Sequence, residues 1–234
     1  LEHAHASLQY ELKLGVQIHE QLLKGGVPQV PPGFDIAAIS IPSKEIDGDF
    51  YEFYYPATGI LDLAVGDVMG KGIPAALVGT ALKSQLMHYA MPHHRGKVYD
   101  SSEMWSDDLL SPEEIVQQVH QIMVPKLINI EYFCSLLFGR FYLEKHLFQY
   151  VDCGSPRTVY YDFKKGKIVQ LRGENFPLGI VEETEYKGQQ ITYSAGDCFV
   201  FFSDGVTECR SQRGELFGIE RVEQVVLDYR EARA

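Results

Sequence analysis

Three aspartates each follow a run of apolar and β-branched residues and stand beside a glycine: Asp49, Asp67 and Asp204. Aspartate is depleted from strands because its short side chain competes for backbone hydrogen bonds. Each of these residues therefore marks the end of a predicted strand, and together they predict carboxylates gathered at one end of a sheet. Divalent cations such as Mg²⁺ and Mn²⁺ prefer oxygen ligands of this kind, so the pattern indicates a metal site.

The competing interpretation is that each aspartate belongs to an unrelated turn. Aspartate and glycine both favour turns for local reasons, so one such pair says little. Asp49 and Asp67 are 18 residues apart, which suits carboxylates on neighbouring strands of a hairpin whose ends meet. Asp204 is remote in sequence and has to be brought in by the fold. Three aspartates that each close an apolar run favour the metal site over three unrelated turns.

Strands are predicted on each side of two consecutive helices, which constrains the architecture. This order indicates an α+β fold with two packed, largely antiparallel β-sheets flanked by helices. Ser111 and Glu114 form a capping box with proline at the first helical position, which predicts the start of the second helix. The predicted strands cover residues 36–41, 50–55, 60–65, 132–143, 146–152, 158–163, 167–172, 186–193 and 197–203, and the helices cover 74–89, 112–127 and 219–229.

A further helix is predicted at residues 5–24, where leucine, isoleucine and valine recur mostly at three- and four-residue steps. A proline-rich stretch separates it from the rest. The chain therefore divides into a linker or dimerisation helix over residues 1–26 and a folded domain over 27–234. We expect a homodimer through Leu12, Val16 and Leu23, and the alternative is a helix that packs on its own domain.

Composition narrows the class of protein. The formal net charge of −11 argues against nucleic-acid binding, which usually needs a basic patch. No apolar run reaches the length of about 18 residues that a membrane span needs, and no secretory signal opens the sequence. The expectation is a soluble cytoplasmic protein that binds neither membrane nor nucleic acid. The four cysteines have no metal-type spacing and are expected to be buried as small hydrophobic side chains.

The segment after Asp67 suggests a phosphate contact. Gly70 and Gly72 allow close backbone approach, Lys71 adds a positive charge, and the helix predicted from Pro74 offers free N–H groups to an anion. The spacing is not that of a P-loop. Equally, the glycines can serve only to turn the chain from strand to helix.

Five motifs in a fixed order carry a family resemblance. They are Glu45–Phe53, Gly66–Ala76, Phe176–Gly179, Ser203–Glu208 and Gly214–Gly218. In combination they resemble the bacterial SpoIIE/RsbU-like phosphatases, a branch of the metal-dependent PPM (type 2C) serine/threonine phosphatases. The helix at residues 5–24 is similar to the coiled-coil linker that joins such domains to upstream sensors.

The resemblance implies roles for four residues. Asp67 would bridge two Mg²⁺ or Mn²⁺ ions, Asp49 and the backbone carbonyl of Val68 would complete the ligands of one ion, and Asp204 would hold the other. Water activated by the metals would attack phosphorus in line. The implied substrate is a phosphoserine or phosphothreonine protein in bacterial signalling, such as an anti-sigma-factor antagonist.

Two departures from the family pattern open an alternative. The first motif has Asp47 where the family usually has glycine, and the family's later Asp-Asp strand does not follow the last predicted helix before Ala234. The folded domain is therefore expected to lack its C-terminal end and a further metal ligand. The alternative function is a catalytically impaired phosphatase-fold module that binds a signalling partner. A metal-dependent nuclease, which also uses paired ions, does not suit the strong negative charge.

Overall fold

The computed structural model describes residues 26–29, 33–41, 47–92 and 109–230, and these contain eight strands and four helices. The strands are β1 (Phe50–Ala57), β2 (Ile60–Val68), β3 (Cys134–Tyr142), β4 (Leu147–Cys153), β5 (Thr158–Asp162), β6 (Lys167–Leu171), β7 (Gln189–Thr192) and β8 (Cys198–Val200). The helices are α1 (Ile73–Ala90), α2 (Pro112–Asn129), α3 (Asp204–Thr207) and α4 (Ile219–Asp228).

The strands form two antiparallel sheets, which confirms the predicted α+β architecture. The larger sheet has the order β1-β2-β3-β4-β7 and the smaller one has the order β6-β5-β8. Helices α1 and α2 cover the outer face of the larger sheet, and α4 packs on β5 of the smaller one. The layers are therefore helices, sheet, sheet and helix.

An aromatic layer fills the space between the two sheets. Phe141 and Phe148 of the larger sheet stack with their ring centroids 4.2 Å apart. Phe148 also meets Phe199 of the smaller sheet at 5.2 Å, and Phe199 stacks on Tyr160 at 4.7 Å. Aromatic pairs of this kind contribute beyond the area they bury, so this layer fixes how the sheets face each other.

The helices begin where the sequence predicts them. The Ser111 hydroxyl accepts a hydrogen bond from the Glu114 N–H at 3.2 Å, and the Glu114 carboxylate accepts one from the Ser111 N–H at 2.7 Å. This reciprocal pair satisfies two backbone donors at the start of α2. Pro74 lies in the first turn of α1, as predicted, and α1 begins at Ile73.

A buried ion pair crosses β2 and β3 beneath the helices. Asp62 and Arg140 lie opposite each other in the antiparallel ladder, and both are almost completely buried. The Nε and one Nη of Arg140 donate to the two oxygens of Asp62 at 2.6 and 2.7 Å. The other Nη donates to the Leu110 carbonyl at 2.6 Å, which fixes the chain just before α2.

Several sequence predictions need correction. Residues 36–41 form no strand, and Ile39 and Ile41 are each 80% exposed, because no described segment pairs with them. The strands predicted at 186–193 and 197–203 shorten to β7 and β8. Cys134 and Cys153 are buried as expected, whereas Cys198 and Cys209 are exposed.

Some predictions fall on residues outside the described ranges. The helix at residues 5–24 and its dimer contacts are among them, so these stay predictions. None of the helices in the described part of the chain is long and apolar enough to cross a bilayer.

Candidate metal centre

The register of the first hairpin brings two of the predicted aspartates together. Phe50 pairs with Gly66, so Asp49, the residue before β1, lies opposite Asp67. The two carboxyl groups lie close enough that each changes the pKa of the other: their interaction contributes to raising the pKa of Asp67. Because successive side chains of a strand alternate, Asp67 points away from Val68, which is buried under the helices, and toward the smaller sheet.

Two glycines make this close approach possible. A Cβ at Gly66 would collide with the ring of Phe50, so a side chain there would push β1 and its preceding loop aside. A Cβ at Gly48 would lie 2.9 Å from the carbonyl oxygen of Val68 and 3.0 Å from the Cβ of Ala75. The Val68 carbonyl is therefore held next to the loop that carries Asp49.

The third aspartate comes from the other sheet. Asp204 is the first residue of α3, which follows shortly after β8. The side chain of its neighbour Ser203 lowers the pKa of Asp49, and the negative charge of Asp204 raises the pKa of both Asp49 and Asp67. The fold thus gathers all three predicted aspartates at one end of the space between the sheets.

Burial and the mutual repulsion of the neighbouring carboxylates raise the pKa values of Asp49 and Asp67. Burial is the largest cause that raises the pKa of Asp67 to about 8, followed by the negative charges of Asp49 and Asp204. Burial also raises the pKa of Asp49, against the hydrogen bonds from Ser203 and Asp67. Asp47, whose Oδ1 accepts from the Gly48 N–H at 2.9 Å, adds further negative charge. The group therefore favours binding a positive charge, either a proton or a cation.

The donor set fits a hard divalent cation. Carboxylate oxygens of Asp49, Asp67 and Asp204 and the carbonyl oxygen of Val68 are the kinds of ligand that Mg²⁺ and Mn²⁺ take. In the described ranges, however, no three His, Cys, Asp or Glu side chains form a ready cage for one ion. Asp49 and Asp67 lie side by side, while Asp204 acts on both of them through its charge.

The glycine segment after β2 forms a turn. Gly70 and Gly72 have φ values of 94° and 79°, which glycine adopts without strain, and Gly72 is the N-cap of α1. Lys71 is exposed. This geometry accounts for the glycines as a strand-to-helix turn, and the phosphate contact of Gly70, Lys71 and Gly72 stays a prediction.

Two residues near the carboxylates have roles that sequence reasoning missed. Leu178 exchanges two backbone hydrogen bonds with Cys134, at 2.8 and 2.9 Å, next to the β3 residue that pairs with Asp67. The Phe176–Gly179 motif thus continues the larger sheet at the end where the aspartates lie. Ser203 is the second: its side chain lowers the pKa of Asp49, and its only signal in the sequence is that it directly precedes Asp204.

Comparison with known proteins gives concordant results. The sequence model of the family described as Stage II sporulation protein E (SpoIIE) matches residues 58–234. Phosphoserine phosphatase RsbU of Bacillus subtilis (strain 168) is 31% identical over 206 residues, which are 88% of this chain and 56% of RsbU. The chain spans about half the length of the curated relatives that it matches.

Solved structures share the fold. The SiaA-PP2C domain of Pseudomonas aeruginosa has a TM-score of 0.71 at 16% identity, over 98% of this chain and 85% of that one. A structure of RsbX in complex with magnesium has a TM-score of 0.54 at 21% identity, over 81% of this chain and 83% of that one. At these identities the likeness concerns the fold alone.

Proposed function

The chain belongs to the SpoIIE family, and from this premise we propose that it is a metal-dependent protein phosphatase that hydrolyses phosphoserine or phosphothreonine. The observation that carries the proposal is the meeting of Asp49, Asp67 and Asp204 at one end of the two sheets. RsbU, which is described as a phosphoserine phosphatase, supports the reaction class. The magnesium in the RsbX structure supports the choice of cation.

Each residue has a defined part in this proposal. Asp49, Asp67, Asp204 and the Val68 carbonyl would hold the Mn²⁺ or Mg²⁺ ions, with Asp67 shared between the ligand sets that include Asp49 and Asp204. When bound, such ions would supply a water of lowered pKa and positive charge to offset the phosphoryl oxygens. The carboxylates come from strand ends and a short helix, so the fold positions them before substrate arrives.

We further propose that the substrate is a phosphorylated regulatory protein in the cytoplasm, such as an anti-sigma-factor antagonist. A protein substrate suits a site at one end of the space between the two sheets. Asp204 is exposed there and Asp49 and Asp67 are half-buried, so a phosphorylated side chain can reach the carboxylates from solvent. The exposed Lys71, between the two turn glycines, is the positive charge that we expect to meet the phosphoryl group.

The test is a calorimetric titration with Mn²⁺, run on the wild-type chain and on Asp67→Asn. We expect the wild type to bind Mn²⁺ and the variant to lose binding, because a neutral amide cannot replace a bridging carboxylate. Asp228→Asn, an exposed residue at the end of α4, is the matched control and should bind as the wild type does. Equal Mn²⁺ affinity in wild type and Asp67→Asn would refute the proposed ligand set.

Activity is tested on the same three proteins with a phosphoserine protein as substrate. Release of inorganic phosphate should require Mn²⁺ or Mg²⁺ and should be lost in Asp67→Asn. Metal binding without any release of phosphate would favour the impaired partner-binding module instead.

A further inference from the structure

Asn175 closes a loop that carries one of the family motifs. The chain between β6 and β7 forms neither helix nor strand, and it contains the Phe176–Gly179 motif. The Asn175 Oδ1 accepts a hydrogen bond from the Lys187 N–H at 2.9 Å, and its Nδ2 donates to the Lys187 carbonyl at 2.9 Å. Because an N–H only donates and a carbonyl only accepts, these two partners fix which way round the amide lies. Residues 176–186 are thus a loop closed by one side chain.

The same amide ties the loop to the larger sheet. The Asn175 Nδ2 has a second hydrogen to give, and the carbonyl of Asp152 in β4 accepts it at 3.0 Å. The buried Asp152 carboxylate accepts from the Gly173 N–H at 2.7 Å and from the Ser155 N–H at 2.8 Å. The chain that enters the loop is therefore fixed to the end of β4 at two points.

The closed loop completes the edge of β3 where β4 stops. β4 ends at Cys153, which pairs with Leu136, so Cys134 lies beyond the reach of β4. Leu178 fills this gap, because it exchanges backbone hydrogen bonds of 2.8 and 2.9 Å with Cys134, and both residues are fully buried. Without Leu178 the N–H and C=O of Cys134 would lose these partners, which is costly for buried backbone groups. On its other side Cys134 pairs with Val68, so the loop supports the strand next to the candidate metal ligands.

We propose that Asn175 is a positioning residue of the candidate metal centre. By closing the loop it holds Leu178 against β3, and β3 in turn holds the end of β2 that carries Asp67. Asp67 pairs with Ser135, the residue next to the one that Leu178 binds. The effect on the cation rests on the proposed function, whereas the loop closure exists in the metal-free protein. Asn175 touches neither cation nor substrate in this role and acts through Leu178.

Loop closure is tested first without metal, by amide hydrogen exchange in Asn175→Asp. This variant keeps the shape of the side chain but places a carboxylate oxygen against the carbonyls of Asp152 and Lys187, to which it cannot donate. We expect the N–H groups of Leu178 and Cys134 to exchange at least about tenfold faster than in the wild type, while those of β5 keep their rates. Unchanged exchange at both residues, or the same acceleration in β5, would overturn the closure.

Two further variants separate the hydrogen bonds of the amide from its packing. Asn175→Leu removes all three hydrogen bonds at similar volume and should accelerate exchange at the same two N–H groups. Gln149→Leu is the matched control, because it removes one side-chain bond between β4 and β7, from the Gln149 Nε2 to the Gln190 Oε1 at 3.2 Å, and should leave both rates unchanged. Faster exchange in Asn175→Leu together with wild-type rates in Asn175→Asp would assign the effect to packing and overturn the role of the amide.

The second measurement is Mn²⁺ affinity. Direct partners of metal ligands change affinity by about 10–100-fold when removed, so both Asn175 variants should weaken Mn²⁺ binding by about tenfold, the lower end of that range. Because coupling between two sites is reciprocal, saturating Mn²⁺ should slow exchange of the Leu178 N–H in the wild type. Ser111→Ala removes the cap of α2 and controls for a general loss of stability, since it should lower the unfolding midpoint without changing Mn²⁺ affinity.

The outcomes separate this inference from the proposed function. If the wild type binds Mn²⁺ and both Asn175 variants bind it equally well, the positioning role is overturned and the metal site stands. If the wild type binds no Mn²⁺, the proposed ligand set and the positioning role both fail, and the exchange rates alone decide the loop closure. Equal weakening of Mn²⁺ binding in Ser111→Ala would show that overall stability sets the affinity, and would overturn the positioning role.

Discussion

Replacing Arg140 with methionine should strongly destabilise the protein. The guanidinium gives two hydrogen bonds to Asp62, and the two side chains are 2% and 0% exposed. Methionine fills part of the volume but leaves the Asp62 carboxylate buried without a partner. Breaking a buried ion pair from one side costs about 3–5 kcal/mol, because an uncompensated charge remains.

This cost is large enough to measure by thermal unfolding. For a domain of this size 1 kcal/mol corresponds to about 2–4 °C in the unfolding midpoint, so Arg140→Met should lower it by about 6–20 °C. The double variant Asp62→Leu with Arg140→Met should recover part of the loss, since no charge is then stranded. Lys165→Met is the control: Lys165 pairs with Asp162 at 2.7 Å but is 74% exposed, and exposed pairs of this kind contribute little to stability, so the unfolding midpoint should barely change.

The loss in Arg140→Met should also depend on pH. Burial raises the pKa of Asp62, and the hydrogen bonds and charge of Arg140 lower it. In the variant only burial remains, so the folded-state pKa rises further above the unfolded value of about 3.9. A carboxyl group whose pKa is higher in the folded state than in the unfolded state stabilises the fold while it is protonated. That stabilisation is lost as pH rises from the unfolded-state pKa to the folded-state pKa. The loss of stability in Arg140→Met relative to the wild type should therefore be small near pH 4 and grow toward pH 7. A deficit below about 1 kcal/mol, or one independent of pH, would refute the reasoning.

Two further substitutions test packing near the carboxylates and under the loop before β7. Gly48→Ala should cost about 1–3 kcal/mol in urea unfolding and weaken Mn²⁺ binding, because the new Cβ presses on the Val68 carbonyl. Gly26→Ala meets nothing within 4 Å and should change neither quantity. His120→Ala should cost about 1–3 kcal/mol, because it strands the buried Tyr186 hydroxyl, which lies 3.0 Å from the imidazole Nδ1. Faster hydrogen exchange of the Tyr186 N–H would accompany that loss, and an unchanged unfolding midpoint would contradict it.

The elements that local chemistry determines were predictable from the sequence. Helix α2 begins at its capping box, and the hairpin of β1 and β2 forms where two β-rich segments flank a turn. Residues 36–41 have the same β-rich composition but form no strand, because strand formation also needs a neighbour that offers hydrogen bonds. Composition shows the preference for extended backbone but not whether a neighbouring strand is available, which is why this prediction was wrong.

In the candidate site, too, only the features that short-range pairing determines were predictable from the sequence. The spacing of Asp49 and Asp67 predicted their meeting, since a hairpin register is set by short-range pairing. The approach of Asp204 to Asp49 joins residues 155 positions apart in the sequence and depends on how two sheets pack, so no local pattern encodes it. The structural role of Gly48 was equally hidden, because it depends on how closely the Val68 carbonyl approaches.

The distance between the carboxylates of the two sheets is set by packing elsewhere. Asp204 follows β8, whose Phe199 contacts Phe148 of the larger sheet and stacks on Tyr160. Folded interiors are close-packed and change shape in discrete steps, so this aromatic layer holds the separation of the sheets nearly constant. The apolar contacts between the sheets therefore oppose the repulsion among the carboxylates, which adds to burial in raising the pKa of Asp67. In this protein the stability of the layer between the sheets and the geometry of the candidate metal site are two consequences of the same packing.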